Sequence, residues 1–131
     1  MSERKIILSR TAPEPIGPYA QAVQAGDLIF CSGQIGLDPQ TGTIPTTVEA
    51  ESRQVMNNLG EVLKSAGVSF DQVVKCSIFL KSMSDFGTVN KVYGEYFAEG
   101  NYPARETVEV SGLPRNVKVE ISLIALKPQG K

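Results

Sequence analysis

Histidine is absent from this 131-residue chain, and cysteine occurs only as Cys31 and Cys76. Without an imidazole, Ser-His-Asp and Cys-His catalysis and histidine-ligated zinc are all excluded. The two cysteines stand far apart inside apolar runs. They read as buried free thiols rather than as a disulfide or a metal cluster. An excess of one charge is lacking too: 13 basic residues face 14 acidic ones, a net charge of −1. That balance offers no electrostatic reason to expect nucleic acid or an anionic membrane as a partner. No apolar run approaches the ~20 residues that span a bilayer. Residues 1–5 lead only into Ile6-Ile7-Leu8, too short for a secretory signal core, so a cytoplasmic protein is expected. Linkers, repeats and low-complexity tracts are missing as well. Any catalysis falls to carboxylates, Arg, Lys, Tyr, hydroxyls, thiols or backbone groups.

What is present suits one ordinary soluble domain over residues 1–131, with 41% apolar and 21% charged residues. A chain of this length buries roughly two-thirds of its unfolded surface and sustains one core without staples. Residues 5–8 read as a short strand. The proline-rich stretch at residues 13–18 forbids regular structure and delivers Tyr19 in extended form. Gly26-Asp27 marks a hairpin turn between strands at residues 20–25 and 28–32, and Asp38-Pro39-Gln40-Thr41-Gly42 is a loop signal.

Thr46 and Glu49 fit a capping box opening a helix whose apolar face carries Val48, Val55, Met56, Leu59, Val62, Leu63 and Ala66. Gly67 is placed to end it in the left-handed conformation. The run Val73-Val74-Lys75-Cys76-Ser77-Ile78-Phe79-Leu80 reads as a strand. A second helix follows, with Ser84 as its cap and Phe86, Val89, Val92, Tyr93, Tyr96 and Phe97 as its apolar contributors. Strands at residues 104–110 and 117–127 complete the order. The reading is an α+β fold, with two helices on one face of a mixed sheet.

Strand parity then sorts the polar residues. In the last strand Val117, Val119, Ile121, Leu123 and Ala125 share the face expected under the helices, and Glu120 lies opposite. In the strand before it, Val108 and Val110 form the apolar pair, leaving Arg105, Thr107 and Glu109 opposite. If the two strands pair as a hairpin, Arg105, Thr107 and Glu120 share the helix-free face. That face also carries Ile124 and Leu126, and the helices suffice for only one side of the sheet. A second subunit is the expected cover; a monomer with scattered exposed apolar residues is the alternative.

Arginine on a rigid strand offers a planar fork of donors to a carboxylate. A shielded glutamate can take a proton from water. The two could seat a small carboxylate-bearing electrophile beside an activated water, or simply pair with each other or with neighbours across strands. Tyr19 could present its hydroxyl to a pocket or merely pack. Ser32-Gly33 permits close backbone approach to a ligand or marks a bulge. Asn90 interrupts the apolar stripe of the second helix, and residues 100–103 could cover a site or only connect.

In combination these stretches resemble the Rid (reactive intermediate deaminase) family, and its RidA branch most. The carriers are Ile16-Gly17-Pro18-Tyr19, Ser32-Gly33-Gln34-Ile35, Asp38-Pro39-Gln40-Thr41-Gly42 and Tyr102-Pro103-Ala104-Arg105, with Val119-Glu120-Ile121 downstream. The resemblance implies a chorismate-mutase-like fold assembled as a homotrimer with clefts between subunits. It implies hydrolysis of 2-iminobutanoate, 2-iminopropanoate and related imines to 2-keto acids and ammonia, without metal or cofactor. Arg105 would grip the substrate carboxylate and Glu120 would hold or activate water. Tyr19, Ser32, Gly33, Asn90 and Thr107 would line the pocket.

Two positions depart from the family's pattern. Glu106 stands where a small residue is usual, and by parity points away from Arg105. Thr107 stands where many relatives carry cysteine, so no nucleophilic thiol is available there. A non-catalytic module binding small carboxylates is the alternative function. The family's older labels as translation inhibitors and ribonucleases fit poorly with a net charge of −1 and no histidine.

Overall fold

A computed structural model describes residues 3–128; Met1, Ser2 and residues 129–131 of the expected domain lie outside it. In chain order the elements are β1 (Arg4–Ile7), β2 (Ala22–Ala25), β3 (Leu28–Gln34), α1 (Val48–Ser65), β4 (Val73–Leu80), α2 (Phe86–Gly94), β5 (Ala104–Glu109) and β6 (Val119–Leu126). Short 3-10 turns occupy Phe70–Gln72, Met83–Asp85 and Pro114–Asn116. The α+β reading holds, with both helices on one face of a mixed sheet.

Local chemistry explains the ends of α1. Its cap is Thr47, one residue beyond the expected Thr46: the Thr47 hydroxyl accepts from the Ala50 N–H at 3.1 Å. Two adjacent threonines offer the same chemistry, and the helix starts where the second can reach the third helical N–H. With Ala50 at that position, no capping box closes. Gly67 does terminate the helix at φ +82°, with Gly67 N–H donating to Lys64 O and Val68 N–H to Leu63 O, each at 3.0 Å. That pair of bonds is a Schellman motif. Ser84 does not cap α2. Ser82 caps the preceding 3-10 turn by accepting from Ser84 N–H, and α2 begins after Asp85 without a side-chain cap.

The six strands lie in the order β1-β2-β3-β6-β4-β5. Every neighbouring pair is antiparallel except β4–β5, which is parallel. The expected β5–β6 hairpin therefore does not form: β4 lies between those strands. A helix between two strands is the connection parallel neighbours need, and α2 supplies it between β4 and β5. The last strand then adds antiparallel to the far edge of β4. It begins at Val119 rather than Val117, because the buried Glu51 carboxylate of α1 accepts from the N–H groups of Lys118 (2.7 Å) and Val119 (3.1 Å).

The core lies between α1 and the centre of the sheet, where Ile29, Leu59, Leu63, Ile78 and Ile121 are at most 1% exposed. The opposite face is bare in the single chain and carries a row formed by Ile6, Val23, Phe30 and Ile124, paired strand to strand. Ile6 is 61% and Phe30 43% exposed, and Leu126 nearby is 44% exposed.

Candidate functional site

Register decides where the polar residues point, since directly paired residues share a face. One row crosses all six strands through Ile7, Ala22, Cys31, Leu123, Cys76 and Arg105. Its first five members are buried on the helix side, so Arg105 also lies on that side. Glu120 sits in another row, beside Phe79 and Val108, on the bare side. The expectation that Arg105, Thr107 and Glu120 share the helix-free face is thus overturned for Arg105 and Thr107. β5 is an edge strand with part of its apolar surface on the bare side. Val108, 43% exposed there, does not mark the core.

Two hollows result. The first, of about 480 Å³, is lined by Asn90, Tyr93, Gly94, Tyr102, Pro103 and Arg105. Arg105 is held from α2: its Nη1 donates to Asn90 Oδ1 at 2.6 Å. The guanidinium carbon lies 5.0 Å from the Tyr93 ring centre and 5.7 Å from that of Phe86, within cation–π range. Among the described residues no carboxylate forms a salt bridge with Arg105. The pairing alternative therefore does not hold, and the rest of the guanidinium fork is available to a ligand. Thr107 shares this side of the sheet without lining the hollow. Its hydroxyl oxygen is buried and has no hydrogen-bond partner among the described residues.

Behind Arg105, burial and the adjacent Cys76 thiol push the Tyr93 hydroxyl pKa upward. Burial likewise raises Cys76, against the opposing influence of Tyr93 and Arg105. Cys31 is pushed up to about 12 by burial and by Cys76. Both thiols are free and buried. Such thiols stay protonated and inert at neutral pH.

The second hollow, of about 350 Å³, is lined by Tyr19, Ser32, Gly33, Ile35, Pro114 and Glu120. Gly33 makes room for the acid: a Cβ there would stand 1.9 Å from Glu120 Oε2 and 2.8 Å from Cδ. The β3 register also slips between Cys31 and Gln34, so Gly33 serves both a bulge and a close approach. Burial raises the Glu120 pKa above the usual glutamate value, in the direction that suits a proton acceptor working near neutrality. Ser32 does not aim a free hydroxyl into the space; its Oγ donates to Ala20 O at 2.7 Å and steadies the backbone beside Tyr19.

Glu106 points away from Arg105, as parity indicates. It pairs with Lys75 at 3.0 Å and accepts from Ser77. The Ser77 bond, then Lys75, holds its pKa below the usual value. Sequence reasoning missed the local roles of Phe86 and Tyr93, reading both as core stripe. The signal was there: Phe86, Asn90 and Tyr93 are four and three residues apart, so they share one helix face. Tyr102, Pro103, Ile35 and Pro114 also line hollows without having been singled out individually for that role.

Comparison with known proteins places this geometry. Residues 9–127 match the family model described as Endoribonuclease L-PSP. The chain is 51% identical to a RutC family protein of Synechocystis sp. over 126 residues, covering 95% of this chain and 97% of that one. It is 50% identical to the 2-iminobutanoate/2-iminopropanoate deaminase of Mus musculus over 125 residues, covering 95% and 92%. Among solved structures, E. coli TdcF with bound serine superposes with a TM-score of 0.91 at 40% identity, covering 95% of this chain and 99% of that one. Matches of this extent and identity carry one conclusion: the chain belongs to the Endoribonuclease L-PSP family, the YjgF/RidA family that its motifs resemble.

Proposed function

We propose that this single-domain protein is a cofactor-independent imine hydrolase acting on 2-iminobutanoate, 2-iminopropanoate and similar 2-imino acids. The observation that carries the reading is Arg105, held by Asn90, Tyr93 and Phe86 with no acidic partner among the described residues. A guanidinium so held is a seat for a small carboxylate. The deaminase names of relatives and the serine bound to TdcF, itself an amino acid with a carboxylate, support the same reading.

Arg105 and Glu120 lie on opposite faces of one sheet, so the working site joins the Arg105 hollow of one copy to the Glu120 hollow of the next. The homotrimer supplies three such clefts, and the exposed row at Ile6 and Phe30 is part of the surface it covers. Within a cleft, Arg105 seats the carboxylate while Glu120 takes a proton from water. The water oxygen bonds to the imine carbon as the C=N π pair moves to nitrogen, which takes that proton back from Glu120 to give a neutral carbinolamine. Glu120 then accepts the carbinolamine hydroxyl proton. As the C=O bond forms and the C–N bond breaks, this second proton passes to the departing nitrogen, leaving keto acid and ammonia. Free imines already hydrolyse in water, so positioning supplies much of the modest acceleration required. The protein works in the cytoplasm on a small molecule, with neither nucleic acid nor membrane as partner. No described helix is long and apolar enough to cross a membrane.

The test follows keto-acid release from freshly generated 2-iminobutanoate. Loss of a charge-assisted contact worth ~1.5–3 kcal/mol lowers kcat/KM by about 10- to 150-fold in Arg105→Ala, with the fold retained and a chelator without effect on the parent. An Arg105→Ala variant as fast as its parent removes the carboxylate seat. A ligand that raises thermal stability while imines decay at the solvent rate leaves only the binding-module reading.

Gly33→Ala gives a second, sharper outcome. The new methyl displaces the Glu120 carboxyl, and the imine-decay assay is expected to show a loss of about 10²-fold, the low end of what general-base catalysis contributes. Stability measured by urea denaturation changes little or rises by up to ~1 kcal/mol, because alanine restricts the unfolded chain.

A further inference from the structure

The segment between β1 and β2 has no regular structure, yet it carries Tyr19 to the Glu120 hollow. Pro13, Pro15 and Pro18 have no N–H to donate, and Tyr19 N–H closes a tight turn onto Gly17 O at 2.9 Å. Such a segment needs side-chain partners to fasten it.

Gln21 fastens it from its C-terminal end, as the Thr11 hydroxyl donating to Glu61 of α1 does nearer the start. Gln21 is 1% exposed, and its carboxamide makes three hydrogen bonds into the segment. Oε1 accepts from Ser9 N–H at 2.6 Å, while Nε2 donates to Ser9 O at 3.2 Å and to Pro13 O at 2.8 Å. Both donors and an acceptor are in use, so only an uncharged amide satisfies the site. On the other side Ser32 holds the same stretch to β3. Its N–H donates to Gln21 O at 2.9 Å and its hydroxyl to Ala20 O. Tyr19 through Gln21 is thereby clamped between the loop and the strand that bears Gly33.

We propose that Gln21 is a positioning residue, a buried amide latch that fixes the proline-rich segment and so sets Tyr19 beside Glu120. The catalytic part of this proposal rests on the imine-hydrolase reading; the latch itself does not. Gln21 touches no substrate and acts through Tyr19.

Gln21→Met keeps the length and volume of the side chain but removes all three bonds. Two measurements test it. The first is tryptic nicking after the exposed Arg10 inside the segment, followed by the mass of the released fragment. A freed segment is expected to be cut about tenfold faster than in the parent; an unchanged rate overturns the latch. The second is imine hydrolysis by parent, Gln21→Met, Tyr19→Phe and the double variant. Gln21→Met lowers kcat about tenfold with KM within about twofold, because the carboxylate seat at Arg105 is untouched. In the Tyr19→Phe background it adds little further loss. A full multiplicative loss in the double variant overturns action through Tyr19. If the parent does not accelerate imine decay, the hydrolase reading and this kinetic role both fall, while the nicking rate still decides the latch.

Discussion

Mixing Arg105→Ala subunits with Glu120→Gln subunits, each a poor catalyst alone, restores activity if the two hollows meet between copies. An Arg105→Ala subunit retains an intact Tyr19-Ser32-Gly33-Glu120 hollow. A Glu120→Gln subunit retains the Asn90-Tyr93-Arg105 hollow. In the proposed ring of three, each cleft would draw one hollow from each of two neighbours. Random assembly of equal amounts then makes about a quarter of all clefts wholly parental. Every ring that contains both subunits has one such cleft in three, so the doubly tagged oligomer should recover to about a third of the parent's activity. Separately, Arg105→Ala should run at roughly 10⁻¹–10⁻² of it and Glu120→Gln at roughly 10⁻²–10⁻⁴. The experiment is co-expression with two affinity tags, isolation of the doubly tagged oligomer and the imine-decay assay. A site built within one chain cannot recover in this way, because no subunit in the mixture carries both groups. Doubly tagged oligomers as slow as the average of the two variants would therefore overturn the composite cleft.

The geometry behind that expectation was only half legible in the sequence. Parity along β6 was right, because its alternate residues Val119, Ile121, Leu123 and Ala125 face a helix-covered core. The same reasoning failed on β5, where the sheet runs out from under the helices and Val108 lies on the bare face. Whether Arg105 shares a side with Cys76 or with Phe79 is a matter of pairing register. Register depends on which strand lies between β5 and β6, a long-range fact absent from either strand's own pattern. The identity of the polar residues was easier to read than their direction, since the motif order carries it without any knowledge of pairing.

Smaller discrepancies have similarly local causes. Thr46 and Thr47 are chemically equivalent caps, and the choice turns on a single N–H. Gly33 was readable as a place of close approach, but not as the seat of a carboxyl from β6. Gln21 showed nothing in sequence that distinguished it from a surface glutamine. Its significance comes from three bonds within its own loop, reaching back twelve residues to Ser9.

Glu120→Gln is expected to make the protein a far worse catalyst and, at neutral pH, a more stable one. The amide cannot take a proton from water, and loss of a general base lowers kcat by about 10²–10⁴-fold. Stability moves the other way because burial disfavours the Glu120 carboxylate and raises its folded-state pKa. A carboxyl with a raised folded pKa favours folding in its protonated form. That contribution is fully present below the unfolded glutamate value of ~4.3 and is lost as pH rises through the folded pKa. Above it, the parent carries a half-buried charge that glutamine lacks. Urea denaturation across pH should therefore show parent and Glu120→Gln nearly equal in acid, with the variant gaining relative stability as pH rises through the Glu120 titration. The acid limb of the parent's kcat/KM profile should lie in that same pH interval and vanish in the variant. Equal stability of the two proteins at every pH would mean that Glu120 is as well solvated as an ordinary surface acid, and would remove the physical basis for making it the proton acceptor.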